Sequence, residues 1–400
     1  MRPVISFGNT PTGHFILLMY LAEGALMPAL PALKAASYTL HLASLPQARQ
    51  LEQVAFATIT PTMLKWQQAD IATAFFGDEP TTLSQEQTTF SEEPTTQNQR
   101  LLALLDALLA KMPARPAQQI VYLLLPEFNS ADDALLSALL QQLMRHHPDL
   151  LQSPQCRVFP YGAAASVMAL KAAAELLAQP EQQTEIWLIA VDSLNDEAVF
   201  SRYEAEQSAA EQSAAEQSAA EQSAAEQSAA EQSPAEQSCQ LLSEGAIALC
   251  LTASGRGLQL VFAASDAQLE QNADDDIATA GLLRQTALQL SNSQAQLSLM
   301  CLPDSGNHYA SQCWLNQMSQ LHGVVTEDTE YLLPGYQSGE LGACGGLYRL
   351  LLLLHEAQQG RFSGFVLQYE QSLRRYRGVA LYQAVQPQND TQGRFQHEHA

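Results

Sequence analysis

Residues 206–238 repeat Glu-Gln-Ser-Ala-Ala, with Glu-Gln-Ser units beginning at 206, 211, 216, 221, 226, 231 and 236 and Pro234 interrupting the sixth. On a helix a five-residue period advances about 140° per unit, so the glutamates spread over every face. Alanine is the only apolar residue, and no apolar stripe results. Such a segment has nothing to bury and forms no part of a core. The chain must therefore fold as two stretches of ordinary sequence around it. Ala, Glu and Gln favour helix, but no Lys or Arg supplies i,i+4 pairing, so a frayed acidic helix or a disordered surface loop is expected. Lengthening a loop costs only about 0.6 kcal/mol per doubling, so repeat expansion is tolerated there. Deleting residues 206–238 is expected to leave the fold nearly unchanged.

On both sides of the repeat, apolar strands alternate with helices. Before it, strands are read at 4–7, 54–60, 120–125 and 186–191. Helices are read from about His14 and at 101–111, 131–145 and 163–177, with a Thr/Glu/Gln/Pro-rich loop at 77–98. After it, paired strands are read at 246–252 and 258–264, and further strands at 297–302, 364–369 and near 379–382. The helices there are read at 278–290, 311–321 and 340–359, and a polar tail follows Val385. This alternation implies largely parallel, helix-covered sheets. The similar rhythm on the two sides predicts an internally duplicated α/β fold, divided into 1–250 and 251–400.

Composition removes several function classes. The 42 acidic residues outnumber 19 Lys and Arg, for a net charge of −23. Without clustered Lys and Arg, neither nucleic acid nor an anionic membrane surface is an expected partner. The six cysteines show no C-x-x-C spacing and no His spacing completes a zinc site, so neither metal nor cofactor is expected and the thiols are read as reduced. His146-His147 reads as a solvated helix end, and His397 and His399 lie in the tail. The apolar run at 15–21 is too short to span a bilayer and Glu23 follows it, which points to a cytoplasmic protein.

Four stretches together resemble the β-ketoacyl synthase branch of the thiolase family. VISFGNTPTG at 4–13 resembles the first strand and turn. YGAAASVMALKAAAELL at 161–177 resembles the nucleophile turn with its buried helix. IWLIAVDSL at 186–194, then Ser243-Glu244-Gly245-Ala246 and IALCL, resembles the strand, variable loop and hairpin that follow. SGELGACGGLYRLLL at 338–352 resembles the late glycine-rich helix start. The resemblance implies a thiolase-like five-layer αβαβα fold of two similar halves, with the repeat in a loop that varies within the family.

It also implies where chemistry belongs. Decarboxylative condensation needs a thiolate made reactive at a helix N-terminus and two imidazoles that stabilise enolate and oxyanion. The family's cysteine position aligns with Ala163, its first histidine with Asp304 and its second with Gly339. The lysine upstream falls near Pro334, and the C-terminal glycine-rich loop is represented only by Tyr369, Glu370, Gln371 and Ser372. Loss of a nucleophile alone costs on the order of 10⁶ in kcat in acyl-transfer systems. The catalytic set is thus not retained, and a pseudoenzyme is expected. A relocated site would draw on Cys344 as nucleophile with His308 as base, or on Asp304 and Glu340 as a carboxylate pair, with Ser166 nearby. The plainer reading makes Cys344 a buried structural thiol, Asp304 a turn residue and Glu340 a first-turn helix acid.

The resemblance leaves several roles open. One is a free-standing binding, scaffold or accessory protein, including one of a bacterial secretion cluster. Another is a chain-length-factor-like partner of an active ketosynthase. A third is an altered acyltransferase. An acyl carrier, an active ketosynthase or a secretion-cluster protein is the partner implied. The stretch 155–160, closed by Pro154 and Pro160, is expected to be the edge strand of a homodimer, with a heterodimer and a monomer as alternatives.

Overall fold

In the computed structural model the strands divide into two sets with one wiring. The structure describes residues 30–48, 51–54, 59, 61–67, 69–76, 97–113, 116, 119–128, 133–179, 185–208, 240–268 and 276–385. The first set is β1 (Ala32–Leu42), β4 (Ile120–Leu124), β5 (Arg157–Phe159), β6 (Glu185–Ser193) and β7 (Leu241–Ser254). A hairpin of β2 (Thr62–Trp66) and β3 (Ala69–Ala74) is inserted and pairs with the start of β7. The second set is β8 (Gly257–Ala267), β9 (Leu297–Cys301), β10 (Glu330–Leu332), β11 (Gly364–Gln371) and β12 (Tyr376–Val385).

The sheet orders are β5-β4-β6-β7-β1 and β10-β9-β11-β12-β8. In both, the third, second and fourth strands run parallel, and the fourth-to-fifth and fifth-to-first pairings are antiparallel. The two sheets join where Ala32 and Leu33 of β1 pair across to Gln259 and Leu258 of β8.

The helices are α1 (Leu51–Val54), α2 (Gln97–Lys111), α3 (Asp133–His146), α4 (Ala165–Leu177), α5 (197–208), α6 (Ile277–Asn292), α7 (His308–Leu315), α8 (Gly335–Ser338) and α9 (Ala343–Gln358). Strand residues alternate between two cores. Tyr122, Leu188 and Leu249 face inward with α4 and α9, as do Leu260, Leu299 and Tyr382 of the other sheet. Leu123, Ile189 and Ala248 face outward onto α2 and α3. Leu367, Val379 and Leu381 face outward onto α6 and the segment around Trp314. Both faces of the inner strands β4, β6, β7, β9, β11 and β12 are covered, which is why most of them read as unbroken apolar runs. The five layers are α2/α3, first sheet, α4/α9, second sheet and α6/α7.

The central layer is packed backbone to backbone. Gly162–Ala164 forms a single 3₁₀ turn leading into α4, and α9 crosses it. A Cβ on Gly346 would lie 2.2 Å from the Ala163 carbonyl oxygen and 2.6 Å from Ser166 Oγ. The small residues at 163–174 and 343–346 are what this approach requires.

Several expectations change. The strand expected at 54–60 does not begin at Val54, which ends α1; residues 55–58 and 60 lie outside the described residues, and the next described strand is β2. Residues 246–252 and 258–264 are strands, but β1 lies between them and they do not pair with each other. The helix expected at 311–321 is α7 followed by a separate 3₁₀ turn, Met318–Leu321, and that expected at 340–359 begins at Ala343. His147 is not solvated: it is 6% exposed, with Nε2 2.6 Å from Asp106 Oδ1. The strand at 4–7, the helix from His14, the loop at 77–96, residues 209–238 of the repeat, the tail histidines and residues beyond 385 lie outside the described residues.

The first repeat unit belongs to the body. Glu206 lies on α5, where it accepts from Arg202 Nε at 2.6 Å and from Asn307 Nδ2 at 2.8 Å. The same Asn307 amide donates to Gln240 Oε1 at 3.0 Å, so one side chain ties the two sides of the insert. Removing residues 211–235, which spares this neck, should change unfolding free energy by less than about 1 kcal/mol. Asn307→Ala cuts both neck bonds and the cap that Asn307 provides to Ala310 N–H, and should cost about 1–3 kcal/mol. Urea denaturation of the two variants checks both values.

Candidate functional site

The duplicated wiring places the carboxyl ends of the parallel strands around one cleft, where α/β sheets offer a crevice for ligands. Its walls are Pro126, Glu127 and Phe128 beyond β4, Asp192 and Ser193 at the end of β6, and Asp196 and Val199 near α5. Gly162 and Ala163, Glu340 and Gly342, and the stretch from Gln371 at the end of β11 to Arg374 also line it.

The sharp entry into the buried helix falls at Gly162, with φ +58°, one residue before Ala163. A Cβ at Gly162 would sit 2.9 Å from Ser372 Cβ, and Ala163 is 1% exposed. Both reach the cleft wall, and neither has a nucleophilic side chain. Ser166 donates to the Ala163 carbonyl oxygen at 2.9 Å, inside its own turn.

The other expected positions separate. Cys344 is fully buried, and its Sγ donates to the Gly245 carbonyl oxygen at 3.1 Å. Burial pushes its thiol well above the usual range, which is the reverse of an activated thiolate. The backbone of His308 opens α7, and its side chain is outside the described residues. Cys344 is absent from the cleft walls among the described residues. Asp304 lies off the cleft as well, holding its own turn by accepting from Gly306 N–H at 3.0 Å. Gly339 has φ +72° and packs so closely that a Cβ would be 2.8 Å from the Leu241 carbonyl oxygen. Glu340 does face the cleft, and Ser305 rather than Asp304 meets it, donating at 3.4 Å. The Asp304–Glu340 pair is therefore not assembled.

The acids that line the cleft are Glu127, Asp192, Asp196 and Glu340, and each accepts from backbone N–H groups. Asp192 takes Ser193 N–H at 2.7 Å and Ala343 N–H at 2.6 Å, capping α9 from the opposite sheet. Glu340 takes Gly342 N–H at 3.0 Å. Asp196 takes Ala198 N–H at 2.8 Å. Glu127 takes Arg374 N–H at 3.0 Å and Arg375 N–H at 2.9 Å, and Ser372 Oγ donates to it as well. Burial pushes Asp192 up to about 7, against the opposing effect of its two backbone donors, and nearby Glu340 pushes it the same way. Burial likewise raises Glu340, although Arg349 nearby lowers it.

The cavity volume is about 60 Å³, room for a few waters. Ligand pockets typically run to roughly 300–1,000 Å³. Among the described residues no group of three His, Cys, Asp or Glu is arranged to hold a metal ion, and no helix is long and apolar enough to cross a membrane. Glu127, Asp192 and Gly162 are site residues that the sequence reading passed over. The one available signal was Asp192, an acid closing the apolar run of β6.

No family model and no curated protein matches the sequence. The structure is similar to that of the ketosynthase from module 6 of the bacillaene synthase of Bacillus subtilis 168, with a TM-score of 0.56, 10% identity, and 89% of this chain and 72% of that one covered. It is similar to the ishigamide ketosynthase/chain length factor, at 0.53 and 14% identity, over 89% of this chain and 100% of the other. A β-ketoacyl synthase from Burkholderia phymatum STM815 matches at 0.52 and 10% identity, over 89% and 100%. The chain has the thiolase-like fold of the β-ketoacyl synthases.

The raised Asp192 implies a sign for pH dependence. A carboxyl whose folded-state value lies above its unfolded value of 3.8 binds its proton more tightly when folded. Its contribution is fully present below about 3.8 and is lost as pH rises through about 7. Asp192→Asn should flatten the fall in melting temperature between pH 4 and 8, as read by calorimetry at constant ionic strength. A slope as steep as that of the unmodified protein would count against Asp192 as its source.

Proposed function

We propose that this ketosynthase-fold chain is a non-catalytic binding, scaffold or accessory protein. The observation that carries this reading is the turn at Gly162 and Ala163: the cleft of a ketosynthase fold is present, but its helix entry bears no nucleophile. The chemistry of condensation begins with a thiolate, and Cys344, the nearest candidate in sequence pattern, is a buried thiol turned toward the Gly245 carbonyl. The small cavity and the commitment of all four lining acids to backbone donors support the same reading. Purified protein should neither condense nor decarboxylate malonyl thioesters at high protein concentration. Turnover above background that Cys344→Ala abolishes would overturn the proposal and restore the relocated site.

A second reading is a chain-length-factor-like partner of an active ketosynthase. It is favoured by the similarity to the ishigamide ketosynthase/chain length factor. In either role an acyl carrier, an active ketosynthase or a secretion-cluster protein is the class of partner proposed, and the compartment proposed is the cytoplasm.

The assembly proposed is a homodimer through β5. Among the described residues this strand ends the first sheet, and one side of its backbone has no strand partner there. Pro154 and Pro160 limit its pairing to a short length. Light scattering on protein expressed alone should give about twice 43.6 kDa. Val158→Glu should halve that mass, because an isologous edge sets like charges opposite each other. A monomer that doubles only when mixed with an active ketosynthase would favour the chain-length-factor reading instead.

A further inference from the structure

The turn between β11 and β12 is built to hold a carboxylate, and the chain supplies one itself. Glu127 leaves the end of β4 in the first sheet and reaches across the cleft to the second. There Arg374 N–H donates to Oε2 at 3.0 Å, and Arg375 N–H donates to both carboxylate oxygens, at 2.9 and 3.2 Å. Ser372 Oγ donates to the same oxygen as Arg374. Ser372 is 2% exposed and accepts from Tyr376 N–H at 2.9 Å, which orients its hydroxyl proton toward Glu127. Three donors from four consecutive residues, 372–375, thus converge on a single carboxyl group. Successive backbone N–H groups in a turn form an anion-binding concavity of this kind. None of these donors depends on the charge of an arginine side chain.

Glu127, Ser372, Leu373 and Arg374 all line the cleft, so this receptor opens onto the cavity rather than onto a remote surface. Glu127 itself is only half-buried and Arg375 is exposed, so the carboxylate can move into water without passing through the core. While it is docked it occupies the donors that any incoming anion would use.

We propose that the β11–β12 turn is a receptor for a small organic carboxylate, occupied by Glu127, which a ligand in the cleft must displace. The inference goes beyond a non-catalytic role and does not depend on it, since an occupied receptor would restrain a binding protein and an enzyme alike.

Chemical rescue of the full chain tests it. Glu127→Ala removes a CH₂ and a carboxylate, the size of acetate. The variant should melt below the unmodified protein, and acetate should raise its melting temperature saturably at millimolar concentrations. Acetamide and an equal ionic strength of sodium chloride should not. The unmodified protein, with its receptor filled, should show no acetate-specific rise. No difference between acetate and acetamide in the variant, or an equal response in the unmodified protein, would overturn the proposal. If Glu127→Ala does not fold, Glu127→Gln keeps the side-chain length and replaces the charge. Amide hydrogen exchange at Arg374 and Arg375 should then speed up by about tenfold or more. Unchanged exchange at both amides would equally defeat the proposal, while the acetate effect on the folded variants is independent of any assay for turnover.

Discussion

The middle helix layer has a sheet on each side, and that enclosure sets the terms for the rest of the molecule. The N-terminal end of α9 and the Arg349 guanidinium are cut off from bulk water, so they need internal partners. Arg349, 3% exposed, forms a two-pronged pair with the fully buried Glu370 of β11. Gln368 then bridges Glu370 to the Gly346 carbonyl oxygen and accepts from Tyr382. The first N–H of α9 goes to Asp192 from the opposite sheet. Helix and sheets are therefore joined by polar contacts as well as by apolar packing, and these contacts hold only at one relative placement.

The cleft follows from the same enclosure. Its carboxylates are the groups that cap α9, brace the turn after β6 and fix the turn between β11 and β12 across from β4. Each of these carboxylates accepts at least one backbone N–H, and the hydrogen bonds brace the cleft walls. Another buried carboxylate on the same side of the sheet behaves similarly: Glu244 is fully buried and accepts from Arg100, from Phe76 N–H at 2.8 Å and from Ser193 Oγ at 2.7 Å. Acidity concentrated at this end of the fold thus acts as internal scaffolding.

The neck of the repeat lies next to this region. Glu206 and Gln240 meet at Asn307, Gln240 donates to Ser305 Oγ, and Ser305 donates to Glu340 on the cleft wall. Both sides of the insert are thus tied to one side chain. The first unit reads like its six copies in sequence. Arg202 and Tyr203 precede it, one turn away on α5, and bond Glu206 and Gln207.

Much of the architecture was legible in the residues alone. Unbroken apolar runs such as 186–191 and 246–251 imply strands covered on both faces, and the alternation with amphipathic helices implies layers. The small residues at 163–174 mark a helix that another backbone approaches closely. The absence of a nucleophile near 163 was also legible, because no cysteine lies between Cys156 and Cys239. Tertiary structure decided the rest. Strand β1, with its polar and exposed middle, carries no strong strand pattern; its place between β7 and β8 comes from pairing with partners more than 200 residues away. The roles of Asp192 and Glu127 could not be read from spacing, since they accept from backbone amides 151 and nearly 250 residues distant. A backbone N–H has no residue identity, so no motif records which one a carboxylate will meet. Only the crossing of α9 over the turn at Gly162, between two sheets, brings them together.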